Sequence, residues 1–191
     1  SGTSKFREHI EAAIRNALTT ERPADELLVS VSDMRARMAA ENRSENPWNV
    51  KHVRGGLVDC EFIAQYLQLQ HAHENPTILN TGTVSAIRNL AEARILDAEI
   101  AETLITATRL WRRLQGLLRL TLDGPADPST FPRPLQQQLA AAGQTENFET
   151  LESDLHQTAQ QVYDLFQTII DEPAAAVRAA RENNHDKEPN S

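Results

Sequence analysis

The sequence has little of what several fold classes require. One cysteine, Cys60, stands among 191 residues. An internal disulfide is therefore impossible, and the chain suits a reducing compartment such as the cytoplasm. A zinc ribbon, which needs clustered thiolates, is disfavoured on the same count. Only 7 glycines and 9 prolines punctuate the chain, too few for a turn-rich all-β fold or a Gly-rich phosphate cradle. No apolar run approaches the roughly 20 residues that span a bilayer, and no signal-peptide pattern opens the sequence. Positive charge is also short: 27 acids face 19 bases, for a net charge of -8. Nucleic acid is thereby disfavoured as a main partner, since a duplex-binding domain presents a concentrated basic face.

What is present points to helices. Hydrophobic residues make up 40% and charged residues 24%, a globular balance in a chain long enough to bury one core. Phe6, Ile10, Ile14 and Leu18 recur every four residues, as one face of a helix that Thr19, Thr20 and Pro23 end. Pro23 suits the first turn of a second helix, whose stripe is Leu27, Leu28, Val31, Met34 and Met38, with Arg35 and Arg37 on other faces. A third, expected from Leu57 to Leu69, is apolar on more than one side and so central. Thr81 or Thr83 is expected to cap a fourth helix, and Asp97 a long fifth one. Asp123 to Pro134 reads as loop, Leu135 to Ala142 as a short helix stopping at Gly143, and Phe148 to Ile169 as the most regular stripe. Pro173 is expected to start a last weak helix to about Arg181. The fold class is all-α, an antiparallel bundle of about six to eight helices. Residues 1–183 form one domain, with 184–191 a disordered polar tail consistent with a natural C-terminus.

The most irregular stretch is Asn42 to Gly56. It holds Trp48, Val50 and Val53, which need burial, beside Lys51, His52 and Arg54. A long structured loop in a helical domain is often functional. Two readings of Gly55-Gly56 stand side by side. The pair permits a tight helix entry at positive φ, or it lets backbone N–H groups approach a phosphate, with Lys51 and Arg54 as cations. Asp59 is a structural anchor of the loop on the first reading. Glu61 needs an arginine partner such as Arg88, Arg112 or Arg113, because a buried unpaired carboxylate is costly, and Gln65 extends that seam one turn on. His71 and His73 diverge on a helix and lack a third ligand, so no metal site is read there. Cys60 reads as a buried inert thiol, and Trp111 as core with Arg112 and Arg113 reaching past it to solvent.

The run Lys51-His52-Val53-Arg54-Gly55-Gly56-Leu57-Val58-Asp59-Cys60-Glu61-Phe62-Ile63-Ala64-Gln65 resembles the K-x-x-x-G-G-[LI]-x-D-I-E-F-x-x-Q stretch of the glutamine synthetase adenylyltransferases. Weaker agreement covers Pro23 to Leu120, including Met34 to Met38, Asn89 to Leu96 and Arg109 to Gln115. Two positions depart from the pattern: Asn49 stands where an acid is usual, and Cys60 replaces isoleucine. The continuation Phe62 to Leu67 looks most like the second, adenylylating half of that bifunctional enzyme.

The resemblance implies a helical domain that follows a nucleotidyltransferase domain. It also implies a catalytic G-S-x(n)-D-x-D signature whose carboxylates hold two magnesium ions. This sequence has no Asp-x-Asp, so it is expected to carry no catalytic residue, metal or cofactor of its own and to be inactive alone. ATP and magnesium belong to the parent enzyme. Lys51, Arg54, Gly55, Gly56 and Asp59 are the loop expected to face the nucleotide domain, and Glu61, Gln65, Arg112 and Arg113 the buried polar seam. Implied partners are the parent's nucleotidyltransferase domain, glutamine synthetase and the P-II signal protein. Two alternatives stand beside this: the equivalent domain of a P-II uridylyltransferase, and a free-standing helical interaction module. Lys51→Ala and Asp59→Ala are expected to leave stability within about 1 kcal/mol.

Overall fold

Eight α-helices follow one another among the described residues, 2–43, 45–122 and 124–185 of the computed structural model, and none of these residues is in a strand. They are α1 (Gly2–Thr19), α2 (Ala24–Glu41), α3 (Leu57–His71), α4 (Thr83–Glu92), α5 (Ala98–Thr121), α6 (Arg133–Gly143), α7 (Phe148–Phe166) and α8 (Glu172–His185). Single 3₁₀ turns lie at Pro76–Ile78 and Pro128–Thr130. The helical class and number match the expectation. Asp123 and residues 186–191 lie outside the described residues. Of the expected disordered tail, residues 184 and 185 are helical.

α3 is central, as its all-round apolar character required. It packs against α2, α4, α5 and α7 and buries Leu57, Val58, Cys60, Ile63, Ala64 and Leu67. The local signals that set the other helices are physical and mostly visible in sequence. Asp97 caps α5, accepting hydrogen bonds from the N–H groups of Glu99 at 2.8 Å and Ile100 at 3.3 Å. Asn147 caps α7 through the Thr150 N–H at 2.8 Å. Neither Thr81 nor Thr83 caps α4. Gly82 takes that position, while the buried Thr83 turns its hydroxyl to Arg112. Pro23 sits one residue before α2 rather than inside it. The turn after α6 is made by Gln144 at φ 63, not by Gly143.

Two departures from the sequence reading have clear causes. α7 and α8 are not separated by a break. Between them Gln167–Asp171 forms a π-turn, whose Glu172 N–H bonds the carbonyl of Gln167. A proline in a regular α-helix removes one hydrogen bond and crowds the carbonyl four residues back. The wider turn absorbs Pro173 and lets the helix run on. The second departure is α1. Its apolar face forms as expected, yet Phe6, Ile10 and Ile14 on it are 68%, 41% and 54% exposed. Periodicity identifies an apolar face; it does not say that the partner lies in the same chain. An 18-residue helix without packing is marginal in water.

Candidate functional site

The motif loop folds onto three helices. Trp48 anchors its first half, stacking on Phe148 at 5.1 Å and meeting Phe131 edge-on at 5.3 Å. Its indole N–H donates to Glu152 at 3.4 Å. Val50 and Val53 are buried beside it. Gly55 then lies at φ 78, and a Cβ there would fall inside the van der Waals shell of the Ala159 carbonyl on α7. At Gly56 a Cβ would come within 2.7 Å of the Val50 carbonyl oxygen. Both glycines are therefore required by the chain's own packing, in keeping with the structural reading.

Asp59, at the start of α3, is the centre of this arrangement and is fully buried. One carboxylate oxygen accepts from Nε of Arg35, itself 1% exposed. The other accepts from the Gly55 N–H, and Nε of Arg54 stands 3.6 Å away. Arg35 also donates to the His52 carbonyl at 3.3 Å. Arg54 bridges outward: its Nη2 donates to Asp171 at 3.2 Å, and its guanidinium lies 4.9 Å from the Tyr163 ring and 4.8 Å from that of Phe166. Asp171 sits in the π-turn and accepts further from Ser32 and Gln167, each at 2.8 Å. Arg178 closes the network onto Asp33 at 2.7 Å. The network thus ties α2, the loop, α3 and the α7–α8 junction together. Its carboxylates are engaged by internal cations, so it fixes shape.

Of the loop residues singled out in the sequence, Gly55, Gly56 and Asp59 lie in the interior, Arg54 is partly covered, and Lys51 is exposed. Arg35, Ser32, Asp171 and Arg178 were missed. A signal for Arg35 was present, because it lies seven residues from Leu28 on one stripe with Ser32, and these three are the buried residues of α2. Met34, assigned from the sequence to the apolar stripe with Leu27, Leu28, Val31 and Met38, is exposed instead.

The expected buried polar seam is not buried. Glu61 does pair with Arg112, but at 3.7 Å and with side chains 32% and 45% exposed. Gln65 is exposed. Arg113 leaves for Gln144, 3.2 Å away, because neighbouring residues on α5 point about 100° apart. Only the outer edge of α3 carries Glu61 and Gln65, where it borders a cleft of about 680 Å³ shared with Leu18 and Asn80. Trp111 is fully buried, as read from sequence. Cys60 is also buried, and burial pushes its thiol pKa up to about 12. His52 is half-buried, with its pKa lowered first by burial and then by Lys51 and Arg35. Among the described residues, no three His, Cys, Asp or Glu side chains converge as a metal would need. Nor is any described helix long and apolar enough to cross a membrane.

The family described as GlnD PII-uridylyltransferase matches residues 26–170, which takes in the whole loop, α3 and the Arg35–Asp59 pair. The chain belongs to this family. Curated relatives carry a related description. The chain is 36% identical over 178 residues to the bifunctional glutamine synthetase adenylyltransferase/adenylyl-removing enzyme of Bradyrhizobium diazoefficiens, covering 92% of this chain and 18% of that protein. It is 39% identical over 171 residues to the protein of that description in Rhodopseudomonas palustris strain HaA2, and 37% identical over 171 to that of Xanthobacter autotrophicus. These cover 89% and 90% of this chain, and 17% of each relative. The chain therefore spans less than a fifth of the length of these bacterial proteins, and it corresponds to a helical domain within them.

Proposed function

We propose that this is the helical accessory domain of an enzyme that transfers AMP from ATP to a tyrosine of glutamine synthetase, in control of nitrogen assimilation. The identity of 36–39% over about nine-tenths of the chain carries the reading. On this proposal the parent's nucleotidyltransferase domain supplies the paired carboxylates, the magnesium ions and the ATP site. The chain buttresses that domain in the cytoplasm, closes one side of its nucleotide cleft with the Lys51 loop, and helps bind glutamine synthetase or the P-II protein. The exposed stripe of Phe6, Ile10 and Ile14 supports docking onto the parent, since an apolar helix face of this kind marks a contact surface and the relatives are several times this chain's length.

The test is to mix this chain with the separated nucleotidyltransferase domain of its parent. Complex formation and restored or increased AMP transfer are expected. Absence of both at high micromolar concentrations refutes the proposal. The family description favours a second reading, a domain of a uridylyltransferase acting on P-II. Transfer of UMP in place of AMP in the reconstituted mixture would establish it. A free-standing interaction module would respond to neither nucleotide.

A further inference from the structure

A second cleft, of about 540 Å³, opens between the motif loop and the C-terminal end of α5. Lys51, His52 and Arg119 line it, together with the amides of Asn46, Asn49 and Gln115. None of the described residues lining it is an Asp or Glu. The cleft beside α3 holds Glu61, and one at the start of α7 holds Glu146 and Glu149. Among the described residues, Lys51 and Arg119 take part in no ion pair. Arg54, three residues on from Lys51, faces away into the Asp59–Asp171 network. The pKa of His52, lowered first by burial and then by Lys51 and Arg35, leaves a neutral imidazole as a hydrogen-bonding group.

We propose that this cleft binds a polyphosphate anion, with Lys51 and Arg119 supplying the charge and Asn49 and Gln115 neutral hydrogen bonds. Lysine meets phosphate as a point charge and arginine as a two-pronged donor, and the volume lies in the usual range for small-molecule sites. Two sources share this chemistry: free inorganic diphosphate, which adenylyl transfer from a nucleoside triphosphate releases, and the phosphate tail of the nucleotide itself. The proposal deepens the reading of the Lys51 loop given above. Its test uses this chain alone, so it can fail while docking to the parent succeeds, and the reverse.

The chain is titrated at low salt with sodium diphosphate, ATP and AMP, followed by tryptophan fluorescence, to which Trp48 in the cleft wall and Trp111 contribute, and by amide NMR shifts. Diphosphate and ATP are expected to bind and AMP to bind far more weakly, with shifts at Asn49, Lys51 and Gln115. Equal affinities for diphosphate and ATP assign the cleft to the free anion; tighter ATP binding assigns it to the nucleotide's tail. Lys51→Ala and Arg119→Ala should each weaken binding about five- to tenfold, and Arg109→Ala, on an exposed face of α5 outside the cleft, should not. No binding of diphosphate or ATP at millimolar concentration overturns the proposal. Binding that both cleft substitutions leave unchanged overturns it equally.

Discussion

Replacing Asp59 by alanine tests the network most directly. The carboxylate is fully buried and is the ion-pair partner of Arg35, whose side chain is 2% exposed. Its loss strands the Arg35 charge where water cannot reach it and leaves the Gly55 N–H without its acceptor. Removing one partner of a buried pair costs about 3–5 kcal/mol, a large part of the roughly 5–15 kcal/mol that holds a domain folded. Urea unfolding of the chain, followed by far-ultraviolet circular dichroism, reads the loss as a lower midpoint at an unchanged slope. The pair Arg35→Met with Asp59→Leu should cost less than the two single changes summed, by about 1–3 kcal/mol, because no charge is left stranded. A loss within about 1 kcal/mol for Asp59→Ala, together with additive single and double variants, would refute the network. That smaller loss is what the sequence implied when Asp59 was read as a residue facing another domain, and the geometry revises it.

Lys51→Ala gives the opposite pattern, because its side chain is exposed and outside the network: stability within about 0.5 kcal/mol of the parent, measured by the same melts, and impaired AMP transfer in the intact enzyme. Gly55→Ala should destabilise by about 3 kcal/mol or more through its positive φ and the Ala159 carbonyl. Gly116→Ala, in α5 with open space around it, should stabilise by roughly 0.5–1 kcal/mol; equal effects at the two glycines would refute this packing. His52 has a lower pKa folded than unfolded, so its contribution is complete above the ordinary histidine value of 6.5 and is lost as pH falls through that value toward the folded one. Stability measured across that window should fall less steeply in His52→Gln, and identical slopes would count against the burial of the imidazole. Cys60, with its thiol pKa pushed up to about 12, should resist thiol reagents until urea unfolds the chain; rapid native labelling would contradict its place in the core.

The helices were legible because their signals are local. The all-round apolar character of α3 requires a central place, and the Asp97 side chain meets its own N–H partners two and three residues on. The candidate site was legible only as a segment, since its meaning depends on residues far away in sequence. Arg35 reaches Asp59 across 24 residues, and Ser32 reaches Asp171 across 139. The Asp171 end of the network also depends on a π-turn that no spacing rule encodes. Glu61 and Asp59, two apart on one helix, show the limit most clearly. Both look like buried acids in an apolar run. The helical period turns one inward to Arg35 and the other to the rim beside Arg112. The motif thus divides by direction: Gly55, Gly56 and Asp59 make the loop's shape, while Lys51, Glu61 and Gln65 are presented on its outside. An interaction with another molecule has to act through the second group, because the first is already engaged within the chain.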